Sequence, residues 1–187
     1  KIYAVQQNCE VLTEYFTKAT DTDAYYMPAW RELYENYSDR ENGCMNVEKA
    51  KIYFDQYIKT SPPGDETELL RTSFAYSTKD YTTAISTAKQ LIKKMGNQAP
   101  ARLYKLIGYA YYDQKDFNSA ISWMEDYFTK ETNIENIVTH NYRVLATAYD
   151  TTGNLAKAKE TWLKAANFEP EENKKWFLYD AAATVAD

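Results

Sequence analysis

The chain has 187 residues, a length that suits one domain or a short repeat array. Hydrophobic residues make up 44% and charged residues 26%, a composition typical of folded globular proteins and unlike that of disordered or fibrous ones. The net charge of -5 argues against a nucleic-acid binder that relies on bulk positive charge. The apolar runs also fall short of the roughly 18 residues that a membrane-spanning helix needs.

Apolar residues follow helical spacing along the chain, as Leu103, Leu106 and Ile107 illustrate with their i, i+3, i+4 pattern. Strictly alternating β-branched runs are absent from the sequence, so strands are not expected. Turn signals followed by a small residue recur with a period in the mid-thirties, which is typical of stacked helix pairs. Three alanines mark this period: Ala84, Ala120 and Ala158.

We therefore predict an all-α chain built from helix pairs. The predicted segments, in chain order, are a second helix of a partial repeat over 1–22, four helix-turn-helix repeats over 27–63, 66–98, 101–134 and 139–172, and a capping or partial-repeat helix over 173–187. Small residues at Ser73, Gly108 and Ala146 are expected to let the helices of a pair approach closely. The apolar side of the first segment, with Leu12 and Phe16, suits burial against residues further upstream, so we expect a fragment of a longer repeat protein.

The order of residue types within each period resembles the tetratricopeptide repeat, which alternates large, small and aromatic residues over two helices. The fourth repeat shows the pattern most clearly, in Tyr142, Leu145, Ala146, Tyr149, Ala158, Trp162, Ala165 and Pro170. This resemblance implies a right-handed superhelix of about four repeats. It further implies a concave groove, lined by the first helix of each repeat, that binds a peptide or protein.

A search for catalytic chemistry finds little. His140 is the only histidine, and no nucleophile, phosphate-binding or metal-ligand motif accompanies it. Cys9 and Cys44 lie 35 positions apart without a CxxC pattern, so we expect two free thiols and no metal site. We predict a chain that is not an enzyme and that uses no cofactor.

The resemblance implies which residues would face the groove, and these form a basic strip flanked by tyrosines. The strip comprises Arg31, Arg102, Lys105, Tyr109, Tyr112, His140 and Arg143. Such a strip attracts acidic peptides, although ordinary solvated side chains on exposed helix faces would give the same pattern. Tyr109 and Thr147 stand where related domains use asparagines to clamp a carboxylate, so a chaperone-tail clamp is not expected.

The predicted function is a non-catalytic scaffold that binds a protein or peptide, with an acidic partner favoured and no nucleic acid involved. The tyrosine-rich repeats resemble those of Bacteroides-group bacteria, which implies a periplasmic or envelope location, with the cytoplasm as the alternative. The competing interpretation is an envelope accessory protein of the SusD type, which binds glycans through aromatic side chains. A scaffold should bind peptides with a strong salt dependence, whereas a sugar binder should respond to oligosaccharides and lose affinity when Tyr109 or Tyr112 is replaced by Ala.

Overall fold

A computed structural model describes residues 9–38, 44–169 and 171–183, with the side chains of all of these except 171, 172 and 182. Within these ranges the chain forms α-helices joined by turns and contains no β-strand, which confirms the all-α prediction. The helices are α1 (Cys9–Thr22), α2 (Met27–Ser38), α3 (Val47–Thr60), α4 (Asp65–Ser77), α5 (Tyr81–Met95), α6 (Ala101–Asp113), α7 (Phe117–Lys130), α8 (Thr139–Thr151), α9 (Leu155–Ala166) and α10 (Glu171–Ala183).

The chain divides into two compact units, residues 1–79 and 80–187, and the division falls inside the predicted repeat over 66–98. In unit 1, α2 packs on both α1 and α3. Phe74 of α4 joins them by stacking on Phe54 of α3, with ring centroids 3.9 Å apart. In unit 2, each helix from α5 to α10 packs on the next one along the chain, and α6 also packs on α8.

The predicted turns before Ala84, Ala120 and Ala158 share one conformation. The residue before each N-cap has a positive φ: 64° at Lys79, 64° at Lys115 and 80° at Gly153. The next residue then caps the second helix, because its side chain accepts a hydrogen bond from the backbone N–H three positions later. These caps are Asp80, Asp116 and Asn154.

Close helix packing at Gly108 is confirmed. A Cβ on this residue would lie 2.8 Å from Cγ and Sδ of Met124 on α7, and Met124 is itself fully buried. Ala146 is likewise fully buried. The prediction for Ser73 is wrong, since Ser73 is exposed on α4 while Thr72 is fully buried.

The expectation of free thiols is also wrong, because Cys9 and Cys44 form a disulfide with their Cα atoms 5.6 Å apart. The bond joins the first residue of α1 to the connection between α2 and α3. Leu12 and Phe16 of α1 bring the two cysteines together by packing within unit 1, against a cluster that includes Leu33 of α2. Among the described residues, the apolar side of α1 thus packs against α2 and α3, which follow it in the chain, whereas the sequence analysis expected a partner upstream.

Candidate functional site

Six of the seven predicted strip residues lie on α6 and α8, two helices that pack on each other in unit 2, and four of them form one group. Lys105 and Tyr109 are one turn apart on α6, and His140 and Arg143 are one turn apart on α8. The Tyr109 and His140 rings meet edge to face, with centroids 5.1 Å apart. We call these four residues the α6–α8 cluster.

A buried asparagine fixes the position of Tyr109. Asn141 is fully buried and donates from Nδ2 to the Tyr109 hydroxyl at 2.5 Å. Its Oδ1 accepts from the Val138 backbone N–H at 2.7 Å, and the Tyr127 hydroxyl, which donates to the Asn136 carbonyl at 3.1 Å, lies 3.4 Å from the same Oδ1. Because every polar atom of this amide has a partner, the amide holds α6, α7 and the start of α8 in one register.

Tyr109 stays protonated at neutral pH. Burial is the main reason that its pKa is raised to about 12, and the hydrogen bond from Asn141 only partly opposes this. Lys105 adds a positive charge nearby, with its Nζ 5.5 Å from the centre of the fully buried Tyr127 ring. The cluster therefore contains a neutral tyrosine and, one turn earlier on the same helix, a lysine.

His140 is held toward its neutral form. The partial loss of water around its ring lowers its pKa, the charge of Arg143 lowers it further, and Asp113 opposes both effects. Arg143 Nη2 lies 3.1 Å from His140 Nδ1. A guanidinium can only donate, so Nδ1 accepts this bond and the neutral ring carries its proton on Nε2. Arg143 then holds the positive charge on α8.

The remaining three strip residues lie outside this cluster, although Arg102 and Tyr112 are also on α6. Arg31 belongs to unit 1, where its Nε pairs with Glu35 Oε1 at 2.8 Å. Tyr112 contacts Phe117 at the start of α7, with ring centroids 5.7 Å apart. Arg102 is exposed in the first turn of α6, one turn before Lys105. The structure thus brings together four of the seven predicted residues.

Sequence reasoning missed Asn141, Tyr127 and Asp113 as parts of this region. The capping box combines Ser or Thr at the N-cap with Glu or Gln at the third helical position, and Val138 and Asn141 do not fit it, so no motif in the sequence marked Asn141. Its link to Tyr109 spans 32 positions and depends on how α6 meets α8, which the spacing of residues does not reveal.

A second recurring feature involves tyrosines near the ends of first helices. Each of three such rings has a lysine Nζ 5.1 Å from its centre, in the pairs Tyr37 with Lys49, Tyr111 with Lys89, and Tyr149 with Lys157. Each hydroxyl also bonds to a side chain on the preceding helix, and these partners are Thr13, Lys89 and Glu125 respectively. In each case the tyrosine hydroxyl thus links its helix to the preceding one, although Lys89 lies on that preceding helix and Lys49 and Lys157 lie on the following helix.

Two clefts accompany this feature. The unit 1 cleft has a volume of about 720 Å³ and lies between α1, Tyr37 and the start of α3. The unit 2 cleft, of about 530 Å³, lies between α7, α8 and α9. The tyrosines of the unit 2 cleft are Tyr142 and Tyr149, and the Tyr142 ring already stacks on Phe128 at 4.5 Å.

In the part of the chain that the structure describes, no group of three or more His, Cys, Asp or Glu residues is arranged to hold a metal ion. Within the same residues, no helix combines the length and apolar character needed to cross a membrane. Compared with protein-family models and with curated proteins, the chain has no match. The tetratricopeptide resemblance thus rests on the residue pattern, and helical hairpins are the architecture that it requires.

Proposed function

We propose that this chain is a non-catalytic scaffold of the tetratricopeptide type that binds an acidic peptide or protein segment on the face formed by α6 and α8. The observation that carries the proposal is the α6–α8 cluster. The α6 and α8 helices pack together there, Lys105 and Tyr109 lie one turn apart on α6, and the Tyr109 ring contacts His140, to which Arg143 donates a hydrogen bond. Lysine, arginine and tyrosine are suited to bind carboxylates and backbone groups of a peptide.

The charge balance of the cluster favours an acidic partner. Lys105 and Arg143 are cationic, His140 is neutral, and Asp113 is the acidic group that acts on this histidine. The chain as a whole is acidic, so this face reverses the local sign of charge. A local reversal steers the approach of an oppositely charged segment and makes binding sensitive to salt.

A catalytic role has less support. The only histidine accepts a hydrogen bond from Arg143 at Nδ1, and this arrangement orients it toward a cation and not toward a nucleophile. Glycan binding also has less support, because the two rings that it would use, Tyr109 and Tyr112, already contact His140 and Phe117.

We also propose a periplasmic or envelope location. The disulfide between Cys9 and Cys44 supports it, since such bonds persist in oxidising compartments and are rare in the cytosol. Growth of the tagged chain in cells, followed by thiol labelling of the periplasmic and cytoplasmic fractions, tests this placement. Labelling of both cysteines in the protein from its native compartment would contradict it.

The binding proposal is tested with an array of immobilised peptides of graded charge. The variant Arg102→Glu/Lys105→Glu/Arg143→Glu reverses the charge of the face. A matched control, Lys51→Glu/Lys59→Glu/Lys159→Glu, makes nearly the same change in net charge at exposed lysines of other helices. We expect acidic peptides to bind the native chain and the control, and to be lost from the first variant. Equal loss from both variants would contradict a localised site.

A further inference from the structure

Two of the Tyr–Lys pairs, Tyr37 with Lys49 in unit 1 and Tyr149 with Lys157 in unit 2, have the same backbone setting. In unit 1, the Asn46 N–H donates to the carbonyl oxygen of Tyr37 at 2.8 Å, and Asn46 then caps α3. Lys49 is the third residue after this cap, and its ammonium lies over the Tyr37 ring. In unit 2 the bond from Asn154 to the Tyr149 carbonyl is also 2.8 Å, and the third residue after that cap is again a lysine.

The two arrangements differ in the side chain supplied by the preceding helix. In unit 2, Glu125 of α7 accepts hydrogen bonds from the Tyr149 hydroxyl and, at 2.8 Å, from Lys157 Nζ. These two bonds, the lysine first, lower the pKa of Glu125. A carboxylate thus occupies the space between the hydroxyl and the ammonium.

In unit 1, Thr13 of α1 stands where Glu125 stands in unit 2. Its hydroxyl donates to the Cys9 carbonyl at 2.6 Å, so the 2.6 Å bond between Thr13 and Tyr37 has the tyrosine as donor. The threonine side chain is shorter than that of glutamate and carries no charge, so it does not form an ion pair with Lys49. Among the described residues, no ion pair involves Lys49.

The unit 1 cleft therefore keeps the cation and the aromatic ring of the unit 2 arrangement and lacks its carboxylate. It is also the larger cleft, and both Thr13 and Lys49 line it. The geometry points to a ligand-binding site at Lys49 and Tyr37 in which the carboxylate of a ligand takes the place that Glu125 takes in unit 2. This site lies in unit 1 and does not depend on the function proposed for the α6–α8 face.

The neighbouring charges define the class of ligand further. Glu10 lies on the same cleft, three positions before Thr13 on α1 and so on the same side of that helix. Glu14, which also lines the cleft, is already paired with Lys18 at 2.6 Å. A carboxylate at Lys49 next to Glu10 is best accommodated when the ligand also carries a positive charge. The ligand class is thus a zwitterion, such as an amino acid or a short peptide with a free amino group.

Three probes of matched size separate the contributions of charge. Glycylglycine carries both charges, its N-acetyl form keeps only the carboxylate, and its C-terminal amide keeps only the ammonium. Binding is followed by two-dimensional NMR of the oxidised full chain, using the backbone amides of Thr13, Tyr37 and Lys49. We expect saturable shifts with glycylglycine, weaker binding of the acetylated form, and no saturable shift with the amide.

The comparison between units supplies matched variants. Thr13→Glu installs the carboxylate of unit 2 beside Lys49, so we expect glycylglycine affinity to fall at least tenfold. Glu125→Thr removes the internal carboxylate from unit 2, so we expect a second set of shifts at Tyr149 and Lys157. Lys49→Gln removes the cation by a conservative change and should also abolish binding in unit 1, with helicity measured by circular dichroism as the check on folding.

The proposal fails if the native chain shows no saturable shift at Lys49. It also fails if folded Thr13→Glu or Lys49→Gln binds glycylglycine as tightly as the native chain, or if the amide binds as well as the acid. Equal binding of glycylglycine and its acetylated form would overturn the assignment of a zwitterion and the role given to Glu10.

Discussion

The connections between paired helices are stabilised differently in the two units. In unit 2, α8 and α9 are joined by a short turn in which Gly153 adopts a positive φ and Asn154 caps the second helix. In unit 1, α2 and α3 are joined by a longer segment, and a disulfide between Cys9 and Cys44 ties it to α1. The first connection is specified by local backbone preferences, whereas the second relies on a bond to another helix. Stability should therefore depend on different residues in the two units.

The largest expected effect comes from removing the disulfide. Replacing Cys9 and Cys44 by Ser should lower the free energy of unfolding of unit 1 by about 3–4 kcal/mol, because the bond closes a loop of 35 positions in the unfolded chain. Urea unfolding monitored by hydrogen exchange reports on each unit separately. Protection in α6 to α9 should hold, and an equal loss of protection in both units would contradict a local role for the bond.

Gly108 offers the next largest effect. Gly108→Ala should destabilise unit 2 by about 1–3 kcal/mol, because the added Cβ meets the buried Met124 side chain and this outweighs the better helix propensity of alanine. The matched change Ser73→Ala, at the corresponding repeat position on exposed α4 surface, should alter stability by about 0.5 kcal/mol or less. Thermal unfolding of both variants measures the contrast, and similar losses from the two would show that the positions are equivalent after all.

The stability of the turns in unit 2 should depend on whether glycine occupies the position with a positive φ. Gly153→Ala forces a side chain into a positive φ and should cost about 1 kcal/mol, whereas Lys115→Gly relieves the same strain and should stabilise by about 0.5 kcal/mol. Opposite signs in denaturant unfolding would confirm that the backbone sets these turns. If Lys115→Gly is instead less stable than the native chain, the contacts of the lysine side chain stabilise the fold by more than its positive φ destabilises it.

The smallest effect concerns pH. The pKa of His140 is lowered in the folded chain, so the unfolded chain binds this proton more tightly. Its contribution to stability is therefore constant above the ordinary histidine pKa of about 6.5 and declines as the pH falls below that value. An NMR titration of this single imidazole measures the pKa directly. Arg143→Gln should raise it, and an unchanged value would remove Arg143 as a cause.

The sequence was sufficient for the features that depend on local pattern. Helical spacing predicted helices, and the recurring turn signals placed the turns before Ala84, Ala120 and Ala158. Gly108 was predicted as a packing residue because the helices of a repeat must approach closely at that position. These properties depend on residues that are close in the chain or related by the repeat.

Features that depend on how helices meet were not predictable in the same way. The disulfide requires α1 to pack on α2. The apolar pattern of α1 predicts which side of the helix is buried, but it does not predict which helix packs against that side. The same is true of Asn141, whose bond to Tyr109 joins α8 to α6. The seven strip residues were chosen by register alone, and Tyr112 shows the limit, since its ring turns toward Phe117 within its own hairpin.

The most direct test of the proposed binding face uses His140 as a reporter, because its ring contacts Tyr109 and its Nδ1 faces Arg143. The imidazole resonance would be followed by NMR while an acidic peptide selected from the array is added at several pH values. We expect the resonance to shift in a saturable manner and its pKa to rise, since a bound anion favours the imidazolium. Peptide binding that leaves the resonance and its pKa unchanged would place the partner elsewhere and contradict the account.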